Sequence, residues 1–180
     1  MKKIFNNLKP KTYNLTGGTL LIESLVAISV LILGLLSVIG FMSRSLSLNR
    51  VVSDQYVASY LAAEGIELVK NIIDSNFLQG NSFNLDPLTG GPLFGGYEID
   101  PFGTHRGFLD KELCYDPSSG EYKYDPNCSN TQFKREIKIT NIEDPPGNII
   151  GLQINSIVSW TTRGGGSFKI DVEDHFFRWH

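Results

Sequence analysis

The sequence lacks the arrangements through which a small protein usually does chemistry. Its two cysteines, Cys114 and Cys128, are not in C-x-x-C spacing, and His105, His175 and His180 are scattered without an H-E-x-x-H or paired pattern. Neither a thiolate nor a histidine metal set is therefore written in it. No G-x-S-x-G raises a serine nucleophile. Gly164-Gly165-Gly166 is not followed by Gly-Lys-Ser/Thr, so it reads as a tight turn rather than a phosphate loop. Asp86, Asp100, Asp110 and Asp116 fall between apolar stretches, but none begins the D-x-D-x-D-G run of a calcium loop. The expectation is a chain with no enzymatic activity, no metal and no cofactor.

A strong excess of either charge is missing as well. Sixteen basic residues stand against 19 acidic ones, a net charge of -3. Lys2, Lys3, Lys9 and Lys11 all precede residue 19, with no acid among them, which leaves 12 bases against 19 acids for the remainder. A mildly acidic body gives no signature of a nucleic-acid or anionic-membrane binder, so no direct nucleic-acid binding is expected.

Charge is absent altogether from Leu25 to Met42, and so is proline; Ser29 and Ser37 are the only polar side chains there. These 18 residues, about 27 Å at helical rise, approach the thickness of a bilayer core. With Leu20-Leu21-Ile22 added the segment spans it. The stretch before it, residues 1–18, is basic, polar and ends in Gly17-Gly18, without the apolar core of a secretory signal. Four lysines precede the run and only Arg44 and Arg50 follow it closely, which orients the N-terminus to the cytoplasm and the rest outside. Gly34 and Gly40 each weaken the helix by roughly 1 kcal/mol against alanine, and they also permit close approach by a neighbouring helix.

Glu23 sits just inside the front of this run. At the middle of a membrane helix a carboxylate costs roughly 2.5–3.5 kcal/mol, less near an interface. Two readings are open. The side chain snorkels to the headgroups, or it waits for a cation supplied by another subunit.

Gly18, then Thr19-Leu20-Leu21-Ile22-Glu23, then a long apolar helix behind a basic leader, resembles the N-terminal signature of type IV pilins and pseudopilins. The resemblance implies a prepilin peptidase that cuts between Gly18 and Thr19 and methylates the new amine of Thr19. It implies that Glu23 neutralises that amine on an adjacent subunit, and that an inner-membrane assembly platform extracts the chain into a filament. Two features depart from the family pattern: Thr19 stands where phenylalanine is usual, and the run has no kinking proline. Further on, Ala62-Ala63-Glu64-Gly65-Ile66-Glu67 with Asn71-Ile72 is similar to the helix of PilV-type minor pilins.

From Ser45 to about Asp74 the pattern stays helical. Val57, Leu61, Leu68 and Ile72, flanked by Ala58, Ala62, Ile66, Val69 and Ile73, form a broad apolar stripe. Asp54, Gln55, Glu64, Glu67 and Lys70 are expected mostly on the other side. Residues 77–132 are rich in glycine, proline, asparagine and aspartate, which is turn chemistry. Tyr97-Glu98-Ile99 and Phe108 to Tyr115 are the candidate strands there. Cys114 and Cys128 flank turn-rich sequence, as a disulfide of an exported domain does, the alternative being two unrelated thiols. After Gln132 the pattern alternates through Phe133–Ile142, Leu152–Thr162 and Ser167–Phe176, with Arg163 to Gly166 joining the last two as a hairpin.

The expected architecture is therefore α+β and pilin-like, a long N-terminal helix packed on a small C-terminal antiparallel sheet. Its parts are a cleaved leader (1–18), a transmembrane and assembly half-helix (19–43), an amphipathic half-helix (44–76), a loop-rich segment with the disulfide (77–132) and the sheet (133–180). The resemblance makes the chain a structural minor pilin of a type IV pilus, held first as a single-pass inner-membrane protein and then in a filament outside. A pseudopilin of a type II secretion or DNA-uptake system is one alternative. A bitopic membrane protein with a ligand-binding or enzymatic outer domain is the other.

Overall fold

A computed structural model describes residues 16–102, 104–162 and 165–178. One helix, α1 (Thr16–Leu78), is followed by seven strands: β1 (Gly95–Ile99), β2 (His105–Gly107), β3 (Glu112–Asp116), β4 (Glu121–Lys123), β5 (Ser129–Glu143), β6 (Ile149–Thr161) and β7 (Ser167–Phe177). No proline interrupts Thr16–Leu78, and the helix is unbroken through Gly34 and Gly40. It runs two residues past the expected end at 76 and stops at Leu78, just before Gly80. Gly80, with φ 72°, donates its N–H to the Phe77 carbonyl, and Asn81 donates to that of Asn76. This pairing satisfies the last carbonyls of the helix, and only glycine enters its left-handed turn without strain.

Two compact units divide the chain at Asn49/Arg50. In the first, every residue from Gly18 to Asn49 is exposed, including the whole apolar run. That segment is long and apolar enough to cross a membrane, which is compatible with a single-pass membrane protein.

The second unit is an α+β domain in which the rest of α1 packs on one antiparallel sheet. β5 is the central strand. β6 pairs with it from Phe133↔Trp160 to Glu143↔Ile149, and β7 pairs with β6 from Thr161↔Ser167 to Gly151↔Phe177. The other edge of β5 is shared: β3 takes its beginning and β1 its middle, with β4 and β2 outside them. The three expected strands thus form the larger part of a seven-stranded sheet. Four short strands from the turn-rich stretch complete it, two of them (β2 and β4) without any alternation long enough to be seen in the sequence. Arg163 and Gly164 of the expected hairpin lie outside the described residues, as does the leader before Thr16.

The buried face of α1 runs through Ala58, Leu61, Ala62, Ile66, Val69 and Ile73, while Val57, Leu68 and Ile72 are half-buried at its margin. Opposite it, alternate residues of β5 and β6 point inward, as a period of two requires. They make two apolar clusters, one around Val69, Ile137, Ile139, Leu152 and Ile154, the other around Leu61, Leu113, Phe133, Val158 and Trp160. Between them the inner face is polar. Arg135 and Ser156 are both fully buried there, and Gly65 lies against them: a Cβ on Gly65 would overlap Ser156 Oγ and come within 3.2 Å of Arg135 Cδ.

Candidate functional site

Within the first unit the hydroxyls look after themselves. Ser24 Oγ donates to the Leu21 carbonyl at 2.9 Å, Ser29 to Leu25 at 2.7 Å and Ser37 to Leu33 at 2.8 Å. Each bond stays inside the helix, so these serines carry little penalty in hydrocarbon. Glu23 is different. It is the only ionisable side chain between Thr19 and Met42, it is exposed on the helix surface, and it lies one helical turn beyond Thr19. Gly18 is exposed too, with nothing within 4 Å of where a Cβ would stand, as at Gly34 and Gly40. The described residues therefore place Gly18, Thr19 and Glu23 together on the first turns of an apolar helix.

The second unit holds Cys114 and Cys128, joined as a disulfide with Cα atoms 5.7 Å apart. Cys114 is buried in the middle of β3 and Cys128 directly precedes β5, so the bridge staples the β3–β4 hairpin to the start of β5. Of the aromatics between the cysteines, Tyr122 and Tyr124 pack against the core, while Tyr115 is exposed. Tyr122 rests edge-on against Phe133 at 6.2 Å, and the Tyr124 hydroxyl donates to the Arg135 carbonyl at 2.9 Å. Burial pushes the Tyr124 phenol up to about 12.

Three acids in the turn-rich stretch are buried, and the sequence reading did not single out their role. Glu98 takes both Nε and Nη2 of Arg106 at 2.8 Å on one oxygen, and the N–H groups of Leu109 and Lys111 on the other. Asp100 accepts from the N–H groups of Phe102, Thr104 and Tyr124. Asp86 accepts from Leu88 N–H and Thr89 Oγ1, and His105 Nε2 stands 3.4 Å from it. The signal was present but weak. Asp86, Asp100, Asp116 and Asp125 each accept the N–H two residues on, the local turn that aspartate favours. Such a carboxylate orders its own loop. Among the described residues no three His, Cys, Asp or Glu side chains converge as a metal site. His175 is exposed on β7 beside Glu173, and His180 lies outside the described residues.

Glu64 corrects the helical-face reading. It does not stand with Glu67 and Lys70 on the solvent side but turns its carboxylate to Arg135 at 2.8 Å. It flanks the buried line of the helix, where a long side chain reaches the sheet and a short one would not.

Comparison with known proteins finds no matching family model, no matching curated protein and no matching solved structure.

Proposed function

We propose that the chain is a structural subunit of a type IV pilin-like filament, a minor pilin processed between Gly18 and Thr19. The observation that carries this reading is the exposed apolar helix from Gly18 to Asn49, interrupted by one acid, Glu23, one turn after the cleavage position. A membrane anchor has no use for that acid. A helix that leaves the bilayer for a bundle of like helices does, because cleavage creates an α-amine at Thr19 and a charge pair within an apolar bundle fixes register. The second unit has its own core and its own disulfide, so it folds as a body carried on the helix. The basic residues before Thr19 orient that body to the outer side of the membrane.

Intact-mass measurement of the protein extracted from its native membrane tests the reading. A chain beginning at N-methylated Thr19 is the expected result. A chain that retains residues 1–18 overturns it and favours a bitopic membrane protein.

A further inference from the structure

β7 is an edge strand: β6 lies along one side of it, and no described strand lies along the other. Its two ends show which backbone groups are left over. Thr162 donates its N–H to the Gly166 carbonyl at 2.9 Å, and Arg178 donates to the Ile150 carbonyl at 2.8 Å. Antiparallel pairing alternates between those points, so Phe168, Ile170, Val172, Asp174 and Phe176 turn their N–H and C=O groups to β6. Lys169, Asp171, Glu173 and His175 turn theirs away from it. The far end of this edge is closed. Asp174 Oδ1 takes the His175 N–H at 2.8 Å, and Asp174 puts an exposed charge on the side of the sheet that carries Ile170 and Val172, which repels an added strand. Ser167 to Glu173 has no such cover among the described residues.

The side chains of this open stretch are complementary to themselves. Two copies of β7 placed antiparallel about Ile170 set Lys169 of each opposite Asp171 of the other, and Ser167 opposite Glu173. On the other face Ile170 meets Ile170, and Phe168 meets Val172. Phe168 is 38% exposed, and Ile170 and Val172 are half-buried at the margins of the apolar clusters, so the pairing removes apolar surface from water. Lys169 and Asp171 are 56% and 41% exposed and stand 3.5 Å apart within one strand. The second strand completes a square of alternating charge. Neighbouring registers lack this match. Centred on Asp171 the pair sets that acid against itself, and centred on Val172 it sets Asp171 against Glu173. Like charges directly opposite destabilise a sheet.

We infer that Ser167 to Glu173 of β7 binds the same stretch of a second copy of this chain, two-fold and antiparallel, joining two sheets into one. A two-fold axis normal to the sheet reverses the direction of the α1 segment packed on it. The contact therefore joins chains that enter from opposite directions, as between antiparallel filaments or facing membranes, and not neighbours side by side in one membrane. It lies wholly in the second unit and does not depend on cleavage after Gly18.

Disulfide trapping on the full detergent-solubilised chain tests it. The two Ile170 residues form a non-hydrogen-bonded pair with Cα atoms about 4.5 Å apart, within reach of a disulfide. Copper-phenanthroline oxidation is expected to convert Ile170→Cys largely to a covalent dimer, and Val172→Cys, which faces Phe168, only to a trace of one. Adding Lys169→Glu, an exposed change, lowers the Ile170→Cys yield about fivefold, because two cross-strand pairs then carry like charges, and adding Asp171→Lys as well restores it. The same charge variants without the added cysteine, weighed by light scattering, follow the same order. Equal trapping at the two positions, no dimer from Ile170→Cys, or a yield and mass that ignore both charge changes overturns the inference.

Discussion

Arg135 Nη1 stands 2.8 Å from Glu64 Oε2 and 3.0 Å from the Leu61 carbonyl oxygen, so one buried guanidinium grips α1 by a side chain and by its backbone. Its Nη2 donates to the Ile99 carbonyl, which brings β1 into the same junction. Helix, central strand and β1 thus meet at a single residue that is fully buried. Removing Glu64 leaves that cation without its counter-charge. Glu64 is itself a third exposed, so water compensates part of the loss. Glu64→Leu is expected to destabilise the full chain by about 2–3 kcal/mol, below the 3–5 kcal/mol typical of breaking a fully buried pair. Arg135→Met is expected to cost less than Glu64→Leu, because it removes the charge rather than stranding it. Chemical denaturation of both variants checks the order; equal stability of wild type and Glu64→Leu would show that the pair contributes nothing.

Gly65 makes that junction possible. A methyl group there meets Ser156 Oγ and presses towards Arg135, and the helix cannot retreat without loosening both apolar clusters. Gly65→Ala is therefore expected to lose about 1–3 kcal/mol through overpacking, despite alanine's better helix propensity. Ser156→Gly on the same chain should recover most of the loss. A double-mutant cycle measures this coupling, and additive effects would place the strain elsewhere.

These two relationships mark where the sequence stops being informative. The stripe Ala58, Ala62, Ile66, Val69, Ile73 is visible from period 3.6, and the three long strands from period 2, because one face of each is buried. Residues β2 and β4 contribute are too few to show a period, and they are strands because β1 and β3 are there to pair with. Glu64 and Arg135 are 71 positions apart and each is an ordinary charged residue until the fold brings them together. Glu98 is hidden for the same reason: its partners, Arg106, Leu109 and Lys111, are defined by a loop that the carboxylate itself organises. Glu23 is the opposite case. Its meaning comes from local contrast with an uncharged run, which the sequence displays without any folding.

Acidification should loosen the stretch around Asp86. Burial lowers the His105 pKa in the folded protein, with Asp86 opposing, so the unfolded state takes up a proton first as pH falls. The stability that neutral His105 contributes is present above its unfolded value, near 6.5, and is lost as pH falls from there through the folded value. One proton sets a maximum slope of about 1.4 kcal/mol per pH unit. Denaturation midpoints measured between pH 7.5 and 5 should fall in the wild type and fall less in His105→Phe. Parallel profiles would assign the pH dependence to other groups.

The Cys114–Cys128 bridge closes a loop with a separation of 14 residues. Constraining such a loop in the unfolded chain is worth about 3 kcal/mol in the entropy model. Cys114→Ala with Cys128→Ala is expected to lose about that amount, measured by thermal unfolding against the oxidised wild type. A loss well under 1 kcal/mol would mean that the hairpin and β5 hold together on their own pairing.

Glu23 separates an anchor from an assembly element. If the segment only spans the membrane, Glu23→Ala removes a cost of up to roughly 3 kcal/mol and should improve membrane retention with no other consequence. If the acid serves a neighbour's α-amine, the same variant inserts and is cleaved after Gly18 but is missing from filaments, because the amine is then left unpaired in an apolar bundle. Glu23→Gln distinguishes charge from shape: it keeps the side-chain volume and hydrogen-bonding atoms and still fails to incorporate if neutralisation is what the position supplies. Quantifying each variant in membranes and in sheared filaments by immunoblot reads both compartments at once. Filament recovery at the wild-type level in both variants would leave Glu23 as a headgroup-facing residue and return the apolar run to the role of an anchor.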